Sequence, residues 1–153
     1  MKKPIELKLT REGFENLKKE IDALSLRRPG VLSRMVAARE QGDLSENAGY
    51  HAAKEELGRI DRRVRELKIM IRFADVFESR SKSVVGFGSS VTVENGGDQA
   101  NFTIVSKLEA DPLRGKVSDV SPIGSALIGK KTGDVVEIEV PDGKTLYKIV
   151  SIN

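Results

Sequence analysis

The sequence of 153 residues predicts an α+β protein: a long antiparallel α-helical hairpin of coiled-coil type over residues 1–78, then a β-rich unit over residues 79–153. Three observations predict it. Apolar side chains in the first half recur every three or four residues, which is the period of one helix face. One short polar break, Gln41–Asn47, divides that pattern into two arms. In the second half the pattern changes to stretches rich in Val, Ile, Thr and Phe, separated by glycine-containing turns, which reads as strand.

The first arm carries Phe14, Leu17, Ile21, Leu24, Val31, Met35 and Ala38 on one seam, with Arg28 occupying the slot that would complete it. Thr10 is placed to cap this helix, and Glu12 lies in its first turn, where the helix dipole favours a negative charge. Pro29-Gly30 interrupts the arm, and a kink is expected there because proline removes a backbone donor and crowds the preceding turn. The second arm is more regular: Tyr50, Ala53, Leu57, Ile60, Val64, Leu67, Ile71 and Ala74. Gly58 costs it about 1 kcal/mol relative to alanine.

Between the arms, Gly42 suits a helix end and Asp43 suits the next N-cap. A connection this short makes the two helices antiparallel neighbours. Folding the chain there sets Ala38 against Ala53, Met35 against Leu57, Val31 against Ile60, Leu24 against Leu67 and Ile21 against Ile71. Arg28 falls opposite Val64, with its head expected to snorkel to water. Arms of roughly 30 residues give a hairpin about 45 Å long at 1.5 Å per residue.

Strands are expected at Val84–Glu94, Ala100–Leu108, Asp134–Val140 and Thr145–Ile152, with turns at Gly96-Gly97 and Asp142-Gly143. Val135, Glu137 and Glu139 alternate with Val136, Ile138 and Val140, so one face of that strand is expected in solvent. Ser121-Pro122 is placed to open a short helix reaching Ile128. The polar stretch Glu78–Ser83 suits a linker between the halves.

Composition narrows the function. There is no cysteine, so disulfides and thiolate metal sites are excluded. Aromatic content is 5% without tryptophan, too little for a base-stacking platform. One histidine and no nucleophile elbow leave little for a self-sufficient hydrolase. The N-terminus has no signal-peptide pattern and no stretch is apolar enough to span a membrane, so a cytoplasmic protein is expected. The net charge is +3, and all of the excess lies in residues 1–78, with 17 basic and 14 acidic side chains; ten of the twelve arginines are there too. Arginine is the better phosphate fork, which points to an anionic partner for that half.

Asp43 and Glu46, three residues apart at a helix start, admit two readings. One is a capping box, in which Asp43 accepts from the Glu46 backbone and Glu46 reaches back. The other is a carboxylate pair for a hard cation such as Mg²⁺, but two oxygens fill only part of an octahedral shell, so a partner would have to supply the rest. Arg34, Arg39 and Lys54 near the break form either a solvated face laced with Glu40, Glu55 and Glu56 or a phosphate-holding patch. Gly124–Lys130 fits part of a phosphate-loop pattern, but Lys131 replaces the required hydroxyl and a strand follows, so it is rejected. Gly86-Phe87-Gly88 reads as a strand bend, and His51 as a surface residue.

The run Ala38-Arg39-Glu40-Gln41-Gly42-Asp43-Leu44-Ser45-Glu46-Asn47-Ala48, followed by Tyr50-His51-Ala52-Ala53-Lys54, resembles the hairpin-tip motif of bacterial transcript cleavage factors of the GreA type. Leu9-Thr10-Arg11-Glu12-Gly13, Arg27-Arg28-Pro29 and Ser121-Pro122-Ile123-Gly124-Ser125-Ala126-Leu127-Ile128-Gly129-Lys130 match as well, so the resemblance covers nearly the whole chain. It implies that the hairpin enters the secondary channel of bacterial RNA polymerase and that the second half is an FKBP-like domain docking at the channel entrance. Asp43 and Glu46 match the tip acids that help hold a second Mg²⁺ in the polymerase active site, where backtracked RNA is cut. Arg39 and Lys54 match positions that contact the nascent RNA 3′ end, and Asn47 and Tyr50 are expected to support the tip. The resemblance implies no cofactor of the protein's own, no independent catalysis, no membrane partner and a monomer.

Two positions depart from the family pattern. Gly49 stands where a third acid is common, and Gly30 where a charged or polar residue is usual. The first keeps open a channel-binding regulator that does not stimulate cleavage. The FKBP-like resemblance also raises prolyl isomerase activity, although Phe87, Phe102 and Tyr147 are the only aromatic residues in residues 79–153 available to line a proline pocket.

Overall fold

A computed structural model describes residues 7–78 and 81–153. Ser79 and Arg80, at the centre of the expected linker, and the Val140 side chain lie outside the described residues. The chain divides into two compact units, one built on Phe14–Ala74 and the other on Lys8–Gly13 with Asp75–Asn153.

Strand β1 (Leu7–Thr10) runs directly into helix α1 (Arg11–Arg39). Helix α2 (Ala48–Phe73) passes directly into strand β2 (Ala74–Phe77), which pairs with β1 in a two-stranded sheet. Neither strand was expected: each has four residues and lies against a helical pattern, so no alternation marks it. Thr10 caps α1 as expected, its Oγ1 accepting from the Gly13 N–H at 3.0 Å. The same threonine donates through its backbone N–H and its hydroxyl to the Glu109 carboxylate, which also accepts from the Ser106 N–H and hydroxyl.

In the first unit, α1 has 29 residues and α2 has 26, and α1 continues through Pro29 without interruption. The buried residues of α2 are Ala53, Ile60 and Leu67, each seven from the next, and Val31 is buried on α1. A spacing of seven is a coiled-coil seam. Ion pairs flank it. Glu20 takes Arg63 at 2.7 and 3.1 Å, Arg28 takes Asp61 at 2.8 and 3.3 Å, and Glu56 takes both Arg34, at 2.9 Å, and Arg27. Partners on α1 rise in number as those on α2 fall, which is the signature of antiparallel arms. Arg28 gains a partner that the seam did not reveal. Its guanidinium remains partly exposed, as expected, and is paired with Asp61 across the hairpin. The acid one turn before Val64 offers a planar bidentate partner that solvent does not.

The second unit holds a five-stranded sheet in the order β5-β4-β3-β7-β6: β3 is Ser90–Asn95, β4 Asp98–Val105, β5 Lys116–Ser118, β6 Val135–Val140 and β7 Gly143–Ile152. Only β4 and β5 pair in parallel. Gly96 and Gly97 both have positive φ, 59° and 92°, as a two-residue turn between twisted strands requires. Strand β3 starts at Ser90 rather than Val84, because Gly86–Ser89 closes a tight turn in which the Ser89 N–H donates to the Gly86 carbonyl. Val84 keeps one isolated bridge to Lys131. Helix α3 (Pro122–Leu127) is capped by Ser121, whose Oγ accepts from Gly124.

The core gathers Val91 and Val93 of β3, Ile104 of β4, Val136 of β6, Ile149 and Ile152 of β7, and Leu127 of α3. Along β6, Val136 and Ile138 are buried while Val135, Glu137 and Glu139 are exposed, so the expected alternation holds at these positions. Among the described residues, no helix is long and apolar enough to cross a membrane.

Candidate functional site

The site is the connection between α1 and α2. Helix α1 ends at Arg39, with Gln41 donating back to the Ala38 carbonyl at 3.1 Å, and Gly42 takes a φ of 117°. Helix α2 does not begin at Asp43. Its N-cap is Asn47, whose Oδ1 accepts from the Tyr50 N–H at 3.0 Å. The capping box between Asp43 and Glu46 is therefore not formed. Both Asp and Asn cap well, but only an amide can also donate, and Asn47 Nδ2 donates to the Ala38 carbonyl at 2.6 Å.

Asp43 is free of capping duty and makes a local turn instead. Its Oδ1 accepts from the Ser45 N–H at 3.0 Å and from the Ser45 hydroxyl at 2.8 Å. The Ser45 backbone N–H and then its hydroxyl hold the Asp43 carboxyl below the usual carboxylate range. Among the described residues, the other oxygen, Oδ2, accepts no hydrogen bond. Asp43 and Glu46 are both exposed, and no hydrogen bond or ion pair among the described residues engages the Glu46 carboxylate. Ser45 was not among the residues expected to act at the tip; the only local signal for its bond is that Asp readily accepts from the backbone two residues on.

The three basic residues near the loop divide. Arg34 is committed to Glu56, and the two arginines on Glu56, Arg34 first, hold its carboxyl below the usual range against its partial burial. Arg39 and Lys54 are exposed and form no ion pair among the described residues; the Lys54 ammonium lies 5.9 Å from the Tyr50 ring centre. Tyr50 also meets His51 edge to face at 5.4 Å, so the only histidine has a ring contact and an exposed surface position. The loop thus presents two carboxylates with two uncommitted cations nearby. Among the described residues, no three acidic or histidine side chains group in a way that could hold a metal ion alone. Two acids offer part of an octahedral shell, so they fit a hard cation only where other ligands come from outside the chain.

Gly49 leaves room. A Cβ there would meet Asn47 Oδ1 at 3.6 Å and the Ala38 Cβ at 3.8 Å, both ordinary contacts. The rejected phosphate loop is a packing element: a Cβ on Gly124 would lie 1.9 Å from the Ser118 carbonyl oxygen. Phe102 and Tyr147 meet edge to face at 6.4 Å and pack against the core, while an apolar hollow of about 340 Å³ between Pro112, Val117, Ile123 and Pro141 has no aromatic lining. That arrangement gives no support to a proline pocket.

Comparison with known proteins agrees along the chain. Residues 7–76 match the family described as "Transcription elongation factor, N-terminal", and residues 80–153 match "Transcription elongation factor, GreA/GreB, C-term". Transcription elongation factor GreA of Lactococcus lactis subsp. cremoris is 42% identical over 150 residues, covering 95% of this chain and 96% of the relative. The protein of the same description from Macrococcus caseolyticus is 42% identical over 153 residues, covering 97% of each. Among solved structures, GreA factor homolog 1 of Thermus thermophilus is 33% identical, covering 97% of this chain and 99% of that one, with a TM-score of 0.45.

Proposed function

This chain belongs to the GreA/GreB family of transcription elongation factors, and on that premise we propose that its hairpin loop stimulates RNA cleavage by bacterial RNA polymerase. The hairpin enters the secondary channel from the cytoplasm, and a backtracked RNA 3′ end is cut in the polymerase's own active site. The protein is a monomer in this reading and has no cofactor and no catalysis of its own.

The observation that carries this reading is the state of the tip acids. Asp43 and Glu46 are exposed on a loop between two long helices, and the two Ser45 donors lower the Asp43 carboxyl below its ordinary range. Asp43 and Glu46 would supply carboxylate oxygens to Mg²⁺, with the polymerase completing the shell, and a metal ion held there would supply an activated water and stabilisation of the leaving oxygen. Arg39 and Lys54, unlike Arg34, have their charges available for RNA phosphates. Helices of this length supply reach: 26 residues of α2 span about 39 Å at 1.5 Å per residue.

The test is addition of the protein to a stalled bacterial elongation complex carrying 3′-end-displaced RNA. The expected result is RNA shortened from its 3′ end; RNA of unchanged length contradicts the reading. A second reading, channel occupancy without cleavage stimulation, rests on Gly49, where the tip has a glycine and α2 has no acid in its first turn. Inhibition of nucleotide addition with no RNA shortening would favour it.

A further inference from the structure

The residues between α1 and α2 form no helix or strand that could fix their path. One side chain joins the two ends. Asn47 Nδ2 donates to the Ala38 carbonyl in the last turn of α1 at 2.6 Å, and Asn47 Oδ1 accepts from the Tyr50 N–H in the first turn of α2 at 3.0 Å. The Tyr50 N–H lies in the first turn of α2, where no intrahelical acceptor precedes it, and the Ala38 carbonyl at the other end accepts from the Gln41 N–H at 3.1 Å as well as from Asn47. Their opposite polarity fixes the amide: nitrogen must face the carbonyl and oxygen the N–H. The Asn47 backbone adds a further tie, its own N–H donating to the Leu44 carbonyl at 3.4 Å.

We propose that Asn47 is the positioning residue of the tip, its side-chain amide setting the span between Ala38 and Tyr50 and thereby the placement of Asp43 and Glu46, whose carboxylates it does not contact. The proposal rests on the function proposed above. The tip acids reach their target at the end of a long lever, so a small change in the span displaces them from reacting atoms. Misplacement of about 1 Å can cost a factor of about 100 in rate. The role also accounts for the choice of amide over acid. Aspartate at position 47 would keep the acceptor for Tyr50 and would suit the helix dipole better, but it would set a charge against the Ala38 carbonyl.

Asn47→Asp tests the donor half alone, and Asn47→Ser, whose hydroxyl is too short to span both groups, tests it without added charge. In single-turnover cleavage of a stalled elongation complex, both variants are expected to lower the rate at saturating protein tenfold or more. The half-saturating concentration should stay within twofold of the parent. A merely structural role would raise the half-saturating concentration and leave the saturated rate alone; that result, or a parental saturated rate, overturns the proposal. Amide hydrogen exchange in the free protein reads the same device without polymerase. The Ser45 N–H is expected to exchange at least tenfold faster in both variants, and an unchanged rate there overturns the proposal on its own. If the unaltered protein does not shorten RNA, the cleavage function fails, while the exchange measurement still decides whether Asn47 holds the loop.

Discussion

Asp43 and Ser45 form a closed local pair, in which one carboxylate oxygen accepts from both the backbone N–H and the hydroxyl of the same serine, at 3.0 and 2.8 Å. Two donors on one oxygen favour the ionised carboxyl and leave the second oxygen without a hydrogen bond among the described residues. Ser45→Ala removes the hydroxyl and is expected to raise the Asp43 titration midpoint toward the ordinary carboxylate value. A carboxyl depressed in the folded state favours folding above its unfolded pKa and loses that contribution as pH falls through the folded value. For an exposed group solvent screens the effect, so the check is NMR titration of the Asp43 carboxyl carbon rather than a melting curve. Identical midpoints in parent and variant would contradict the assignment.

The hairpin should be sensitive to acid. Asp61 is held below the usual range by its hydrogen bonds from Arg28, and Glu56 by those from Arg34 and Arg27. Both shifts are downward, so their support is complete above the unfolded carboxylate pKa and is lost as pH falls. Helicity followed by circular dichroism is expected to hold at neutral pH and to melt at lower temperature between about pH 5 and pH 2. A melting temperature that rises across that interval would oppose the role given to these pairs.

Burial within the hairpin is concentrated at few positions. Leu67 is fully buried on the α2 seam, whereas Leu26 on α1 is 83% exposed. Leu67→Ala is expected to cost about 2–5 kcal/mol in chemical denaturation. Leu26→Ala should fall within about 0.5 kcal/mol of the parent. Equal losses from the two leucines would show that the seam is misassigned.

Gly49→Glu should be accommodated, since the space beside the glycine is open and the change places an acid in the first turn of α2. Replacing a helical glycine and complementing the dipole both favour the variant, by about 1 kcal/mol together. Thermal denaturation is expected to move up by a few degrees. Cleavage stimulation is expected to be equal to or greater than that of the parent. If the parent is inert and only the variant shortens RNA, the non-cleaving regulator is the better account of the natural chain.

The two long helices were legible because a seven-residue spacing persists over many turns, and Ala53, Ile60 and Leu67 are where burial follows it. The position of Arg28 in the seam was legible as an exception, but its partner was not. Which acid meets the guanidinium depends on which side of α2 faces it, a tertiary matter. Strand β5 escaped because three residues pairing in parallel at a sheet edge leave no alternation to detect. At the tip, the sequence put Asp43 and Glu46 in the connection between the arms, where they lie, but misplaced the cap. Asp43 and Asn47 have similar capping preference, and the decision was made by a bond from Asn47 to Ala38, nine residues away in the chain. The division between committed Arg34 and available Arg39 and Lys54 had the same origin, since Glu56 reaches Arg34 only once the arms are folded together.

The central claim is that the tip carboxylates act inside the polymerase and contribute little to binding it. The most direct test measures 3′-end cleavage of RNA in a stalled elongation complex at saturating Asp43→Asn or Glu46→Gln, alongside competition of each variant against labelled parent for polymerase. Cleavage is expected to fall by at least about a hundredfold, about 2.7 kcal/mol of barrier, while competition stays within twofold. Parental cleavage by both variants, or loss of cleavage only in proportion to lost binding, would contradict the account.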